Sequence, residues 1–514
     1  MKNALGRLIP DSAAGYGPLV PFAGAFATKP SGWRAQARLK TARAGRSKVL
    51  PSLAAAFEAA SISDGMTLSF HHHLRNGDGV LNMVLATAER LGIRDLTVAI
   101  SSVFPVHDPL IAHMQAGTVS ALDATFIAGP VGLAISMGIL DKPVVMRTHG
   151  GRARAIESGQ LKIDVAFIAA SAADDYGNLN GVIGPTACGP LGYAYPDAQY
   201  ADVVVAVTDT LCPYPLSPIS IPQTLVDHVV VVDSIGDAQG IAFGSTRLTR
   251  NPVDHEIARS AAEVIRASGL LKAGFSFQTG AGGASLASAS YVRQFMRDGG
   301  ITGSFALGGI TSYMVKMLDE GLFRTLIDVQ SFDLDAVRSL ASNPNHVEVG
   351  ASQYANPFTA GCAVDKLDAV VLGATEIDLD FNVNVVTGST GVIMGGSGGH
   401  ADAAAGASLT IIAAKLVRKR LPTVVESALT ATTPGETVDV LVTERGVAVN
   451  PGRPDLTERL QAAGLPLKSI EELHDAALSL TGKPDPVALN EKVVAVVEYR
   501  DGTVIDVVRQ APAH

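Results

Sequence analysis

Short, largely apolar runs recur along the chain, at residues 66–70, Leu96–Ile100, Val144–Met146, Val165–Ala169 and residues 203–207. Stretches with helical spacing stand between them, over residues 54–62 and 81–91. A short run that is apolar at nearly every position suits a strand buried on both faces. Its alternation with helices predicts an α/β fold with mostly parallel sheets. A helix is expected over 403–415 and another over 456–463, with strands at 438–442 and 493–499 that are expected to complete the last sheet. Residues 1–40 mix Pro, Gly and basic residues with little period, and read as an arm that wraps the protein's own core or a partner subunit.

The pattern occurs twice. A strand ending Leu68-Ser69-Phe70 leads to a polar loop and a helix, and Phe275-Ser276-Phe277 leads to a glycine loop and a helix. Asp164-Val165-Ala166-Phe167-Ile168 runs on to Asn178-Leu179-Asn180, and Asp368-Ala369-Val370-Val371-Leu372 runs on to Asn382-Val383-Asn384 at a near-constant offset. Strand, loop and polar positions match in both stretches. This predicts two homologous α/β domains in tandem, over 41–250 and 251–514, behind the arm at 1–40. Such a pair places its site where the strand-end loops of both halves meet.

Composition narrows the function. Among 514 residues, 47% are hydrophobic and 17% charged, which excludes a disordered chain. The net charge is −9, and the basic runs are confined to residues 34–46 and 415–420, so nucleic acid is not an expected partner. The cysteines, Cys188, Cys212 and Cys362, are far apart and odd in number, which fits a reducing, cytoplasmic setting rather than a disulfide framework. No run is long and apolar enough for a membrane helix, and the first residues lack the apolar centre of a leader.

Several loops could carry chemistry. Gln278-Thr279-Gly280-Ala281-Gly282-Gly283-Ala284 lies between a strand and a helix. Bare N–H groups there could hold a pyrophosphate or an oxyanion, or the loop is a tight turn without a ligand. Gly395-Gly396-Ser397-Gly398-Gly399-His400-Ala401-Asp402 is a second glycine-rich loop, with more glycine than a turn needs. In His71-His72-His73-Leu74-Arg75-Asn76, extended backbone puts His71 and His73 on one face, but spacing suggests no third metal ligand, so no metal is expected. Arg75 there, and His149 and Arg152 after a later strand, suit a polycarboxylate or phosphate, or else a surface salt-bridge loop. Glu348, ending a strand, is a candidate nucleophile on a thioester or a structural hydrogen-bonder.

Phe70–Asp78, Thr148–Arg152, Gly177–Gly181, Gly395–Asp402 and Thr443–Ala448 together resemble the citrate lyase α-subunit family, over about residues 15 to 505. The resemblance implies a tandem CoA-transferase fold. It also implies exchange of acetate for citrate on an acetyl thioester, with a separate β chain cleaving the citryl thioester. The thioester would belong to acetyl-CoA or to the CoA-like group of an acyl carrier protein, the γ chain, with no cofactor bound by this chain itself. A homo-oligomer within the complex is implied as well. A stand-alone transferase for another short acid such as citramalate, and a non-catalytic scaffold, are the alternatives. On these motifs His71, His73, Arg75, Asn76, His149, Arg152, Asn178 and Asn180 are candidates for citrate binding. Gln278, Gly280, Gly282, Gly283, Gly396, Gly398, Gly399 and His400 are candidates for the thioester, with Gly282 and Gly283 at the oxyanion. Glu348 falls near the nucleophile of related transferases, although Val349 stands where some of them carry Asn. The family is described as transferring the acyl group directly, without an enzyme-bound intermediate.

Overall fold

The structure, a computed structural model, describes residues 1–28, 45–243 and 249–512. Residues 29–40 of the expected arm, and most of the basic run at 34–46, lie outside the described residues. Two large sheets dominate, one of ten strands and one of eight.

Seven consecutive strands of each sheet share one order. In the first sheet it runs Val144–Met146, Val119–Ala124, Leu96–Ile100, Thr67–Phe70, Val165–Ala169, Val203–Thr208, His228–Val231. In the second it runs His346–Glu348, Phe323–Ser331, Gly303–Ile310, Ser276–Thr279, Ala369–Leu372, Leu409–Ala413, Val440–Thr443. All these pairs are parallel. Val165–Ala169 and Ala369–Leu372 are buried at every position, as strands covered on both faces must be.

The matching asparagines have matching structural work. Asn178 donates its amide to Asp174 Oδ2 at 2.7 Å and accepts from Gln223 N at 2.9 Å. Asn382 donates to Asp378 Oδ2 at 3.2 Å and accepts from Gly435 N at 2.9 Å. Asn180 Oδ1 accepts from Val182 and Ile183 N, as Asn384 Oδ1 does from Val386 and Thr387 N. Each set ties a small three-stranded sheet beyond the main one, at Ala172–Asp174 and at Glu376–Asp378. Buried backbone groups in these turns need partners, and an asparagine supplies a donor and an acceptor at once.

Two expectations are corrected. The helix expected over 403–415 ends at Gly406, and Leu409–Ala413 is a central strand of the second sheet. Its Leu-Thr-Ile-Ile-Ala sequence is β-branched and fits a strand better than a helix. The strand at Val493–Glu498 does not complete the second sheet. It pairs in parallel with Val144–Met146 in the first, and Val504–Arg509 pairs antiparallel beyond it. The chain end thus returns to the first half. Residues at its start cover that hairpin: Ile9 and Leu19 pack on Val496 and Val504, and Phe22 N donates to Val504 O at 2.8 Å.

Candidate functional site

The carboxyl ends of the strands of both sheets open on one cleft of about 770 Å³. The first half contributes His72, Arg75, Ser102, Phe104 and His149. The second contributes the loop after Ser276–Thr279, Tyr354 and the loop up to His400. This is where an α/β sheet places a ligand.

The histidine loop divides by side. His71 and His73 do share a face, stacked at 5.5 Å between ring centroids, but that face is turned inward. His71 Nε2 lies 3.1 Å from Asp197 Oδ2, and His73 Nδ1 lies 3.2 Å from Ala169 O. His72, between them, lines the cleft. Its ring stacks on Tyr193 at 4.8 Å, and that of His149 lies tilted against the same tyrosine at 4.4 Å. Burial holds both cleft imidazoles neutral: His72 lies well below its ordinary value, and His149 is pushed down to about 3, with Arg152 and Arg75 adding to the effect.

Arg75 reaches the cleft from a left-handed backbone conformation, φ 52°, uncommon for a residue with a side chain. It is 8% exposed. Its guanidinium lies 4.5 Å from the centre of the Phe332 ring and 5.3 Å from that of Phe104. No carboxylate among the described residues pairs with it, its Nε has no hydrogen-bond partner, and burial pushes its pKa down to about 10. It remains a cation at neutral pH, desolvated and uncompensated.

Arg152 is the opposite case. Its two terminal nitrogens each lie 2.8 Å from an oxygen of Asp197, and one also donates to Ser69 Oγ at 2.9 Å. Both terminal nitrogens are thus held by a carboxylate beneath the cleft, and only Nε is left without a partner. Asn76 accepts from Val106 N, and Asn178 and Asn180 serve their turns, so none of these four lies among the cleft residues.

In the second half, Gln278 lines the cleft and donates Nε2 to Tyr354 Oη at 3.0 Å. Gly280 N–H is taken by Val371 O at 2.8 Å. The helix Gly283–Asp298 then begins with no side-chain cap, so its first N–H groups, from Gly283 on, face the cleft without intrahelical acceptors. The other glycine loop crosses to the first half. Gly398 N donates to Thr125 O at 3.1 Å and Gly398 O accepts from His149 N at 2.8 Å. A Cβ on Gly396 would stand 2.3 Å from Thr125 O, so only glycine lets the two halves close here. Both ring nitrogens of His400 are engaged, with Thr433 Oγ1 at 2.7 Å and Gly373 O at 2.8 Å, so it fixes the loop. Asp402 ties the same loop across, accepting from Thr148 Oγ1 and Gly150 N at 2.9 Å each.

Glu348 is absent from the cleft lining. Its oxygens accept from Leu191 N at 2.5 Å and Ser220 Oγ at 2.6 Å, both in the first half, so it acts as a strut between halves. Burial pushes its carboxyl up to about 7. A carboxyl with a raised folded pKa binds its proton more tightly when folded, so stability falls as pH rises from about 4.5 to about 7. Glu348→Gln is expected to flatten that slope in urea unfolding while keeping transferase turnover within about tenfold, since an amide retains the strut. A loss of about 10³-fold or more would instead mark a nucleophile.

The family model for citrate lyase, alpha subunit (CitF) matches residues 46–511. The chain belongs to the citrate lyase alpha-subunit family. It is 52% identical to the citrate lyase alpha chain of Klebsiella pneumoniae over 492 residues, 96% of each chain. To that of Escherichia coli (strain K12) it is 51% identical over 463 residues, 90% of this chain and 91% of the relative. Its structure matches the alpha subunit of citrate lyase from Streptococcus mutans, solved in complex with citrate, with a TM-score of 0.96, 49% identity and 100% of both chains covered. A Pseudomonas malonate decarboxylase, at TM-score 0.64 and 19% identity over 86% of this chain and 95% of that one, shares the fold.

Within this citrate lyase alpha-subunit fold, Tyr193, Tyr354 and Phe332 complete the cleft, and Lys415, Arg418 and Lys419 stand around it. Sequence reading missed the three aromatic residues, which belong to no motif. The three cations come from the second basic run, which was visible but unassigned. No helix among the described residues is long and apolar enough to cross a membrane.

Proposed function

We propose that the cleft is where citrate replaces acetate on an acetyl thioester, the transferase step of citrate lyase. The observation that carries the placement is Arg75, a buried guanidinium without a carboxylate among the described residues, in the same cleft as the uncapped start of Gly283–Asp298. A guanidinium in this condition gains most from a carboxylate partner. The helix start is suited to the oxyanion.

The chemistry then needs little more than position. A citrate carboxylate oxygen attacks the thioester carbonyl, the C–S bond breaks, and thiolate and mixed anhydride form. The thiolate attacks the citryl carbonyl and acetate leaves. Each step passes through an oxyanion that N–H donors stabilise by about 3 kcal/mol. Holding acid and thioester together supplies the entropic part of the acceleration. Lys415, Arg418 and Lys419 suit the phosphates of a CoA-like group, carried by an acyl carrier protein, the γ chain, or by CoA itself. A β chain would cleave the product, and copies of this chain would assemble with both. The unpaired cysteines fit a reducing compartment, and we place the chain in the cytoplasm on that ground.

The chain incubated alone with acetyl-CoA and citrate is expected to yield citryl-CoA and acetate, without oxaloacetate, by mass spectrometry. Transfer to citramalate in preference to citrate would overturn the choice of acid, and no transfer from either acetyl-CoA or the acetylated carrier would leave a scaffold.

A further inference from the structure

We propose that His149 reads the hydroxyl group of the acid: its Nε2 lone pair accepts the hydroxyl proton and makes a hydroxy acid the preferred acceptor. This rests on the transferase reading above and names the group that sets its substrate class.

The ring's tautomer follows from counting protons. Thr125 Oγ1 hydrogen-bonds Ser101 O, and a carbonyl oxygen only accepts, so the single threonine proton is spent there. His149 Nδ1 lies 3.1 Å from the same Oγ1 and must therefore donate to it. The ring is neutral, so Nε2 carries the lone pair. No partner among the described residues binds that nitrogen, and His149 lines the cleft. Glycine at 398 leaves the space beside it, for a Cβ there would stand 3.3 Å from Nε2.

His72 is held the other way round. Ser101 Oγ accepts from His72 N at 3.1 Å and lies 2.5 Å from His72 Nδ1, the acceptor for its own proton. The ring proton of His72 is then on Nε2, a donor. The cleft wall thus offers a cation at Arg75, an N–H at His72 and a bare lone pair at His149, with Tyr193 packed against both imidazoles. Carboxylates satisfy the first two and are repelled by the third. Citrate at neutral pH owns one donor, its tertiary hydroxyl. The lone pair has no other task in the reaction, because a carboxylate enters, a carboxylate leaves and no proton moves.

A site that hydrogen-bonds a substrate hydroxyl discriminates strongly against the analogue lacking it. The test compares citrate with tricarballylate, which has hydrogen in place of the hydroxyl, as acceptors from acetyl-CoA with the full chain. The expected kcat/KM ratio is about 10²-fold or more in favour of citrate. His149→Leu should bring the two acids within about tenfold, mainly by lowering citrate, and His149→Gln, with an amide oxygen near the place of Nε2, should keep most of the preference. Equal use of both acids by the unaltered chain overturns the proposal and leaves the transferase reading standing. Use of neither acid, from acetyl-CoA or from the acetylated carrier, ends both. Full preference in His149→Leu also overturns it. Should that variant not fold, Thr125→Val, which removes the acceptor for Nδ1–H, takes its place: a reduced preference supports the assignment and an unchanged one defeats it.

Discussion

Arg75→Gln is expected to lower kcat/KM for citrate by about 10²-fold or more and to leave the KM for acetyl-CoA within about threefold. Arg75 is 8% exposed, and its guanidinium lies against Phe332 and Phe104 and has no carboxylate of its own among the described residues. Its desolvation has already been paid for in folding, so a citrate carboxylate gains the full charge-assisted pair. Losing such a contact costs about 3 kcal/mol, which is the stated factor. Lysine at this position should recover only part of the loss, because a point charge cannot make the bidentate pair. Stability should not fall, since an unpaired buried charge is itself unfavourable. Initial rates at varied citrate and varied acetyl-CoA separate the two effects. Equal increases in both KM values would remove Arg75 from the acid site.

Arg152→Met should do the reverse, costing about 3–5 kcal/mol of stability with little change in citrate KM for the folded fraction. Asp197 is fully buried and holds Arg152, His71 and Ser69 together. Burial alone would raise its pKa, but the Arg152 charge, with His71, holds it well below the usual carboxylate range. Removing the guanidinium strands that carboxylate. A depressed folded pKa contributes stability above the unfolded value, near 3.9, which is lost as pH falls through the folded one. The gap between the two proteins in urea unfolding should therefore be full at pH 7 and narrow below about pH 4. The double variant Arg152→Met/Asp197→Leu should recover part of the loss, because it removes the buried charge along with its partner. A small loss at pH 7 would show that His71 alone suffices.

The two arginines also mark how far the chain could be read. Both follow strands, both sit beside histidine, and both were expected to hold citrate. One is open in the cleft and the other is closed on Asp197, 45 residues further along. Likewise the period-two rule rightly put His71 and His73 on one face, but which face was inward depended on Asp197 and Ala169, so the cleft took His72 instead. Asn178 and Asn180 stood out through the repeat, and the repeat was itself the clue to their role: Asn382 and Asn384 make the same turn where no citrate was expected. The strand expected at 493–499 belongs to the first sheet and not to the last, because an apolar strand fits any open edge and its own sequence does not name one.

The α/β alternation, the glycine loops at strand ends and the family are legible along the chain. These rest on periods of two to four residues and on local motifs, which neighbours along the chain decide. Which guanidinium is left without a carboxylate, which imidazole faces the cleft, what Glu348 holds and which edge takes the last strands emerge only once the chain is folded. A buried polar group takes its role from the partner that satisfies it, and here those partners come from distant segments, up to 502 residues away where the Asn3 amide donates to Ile505 O.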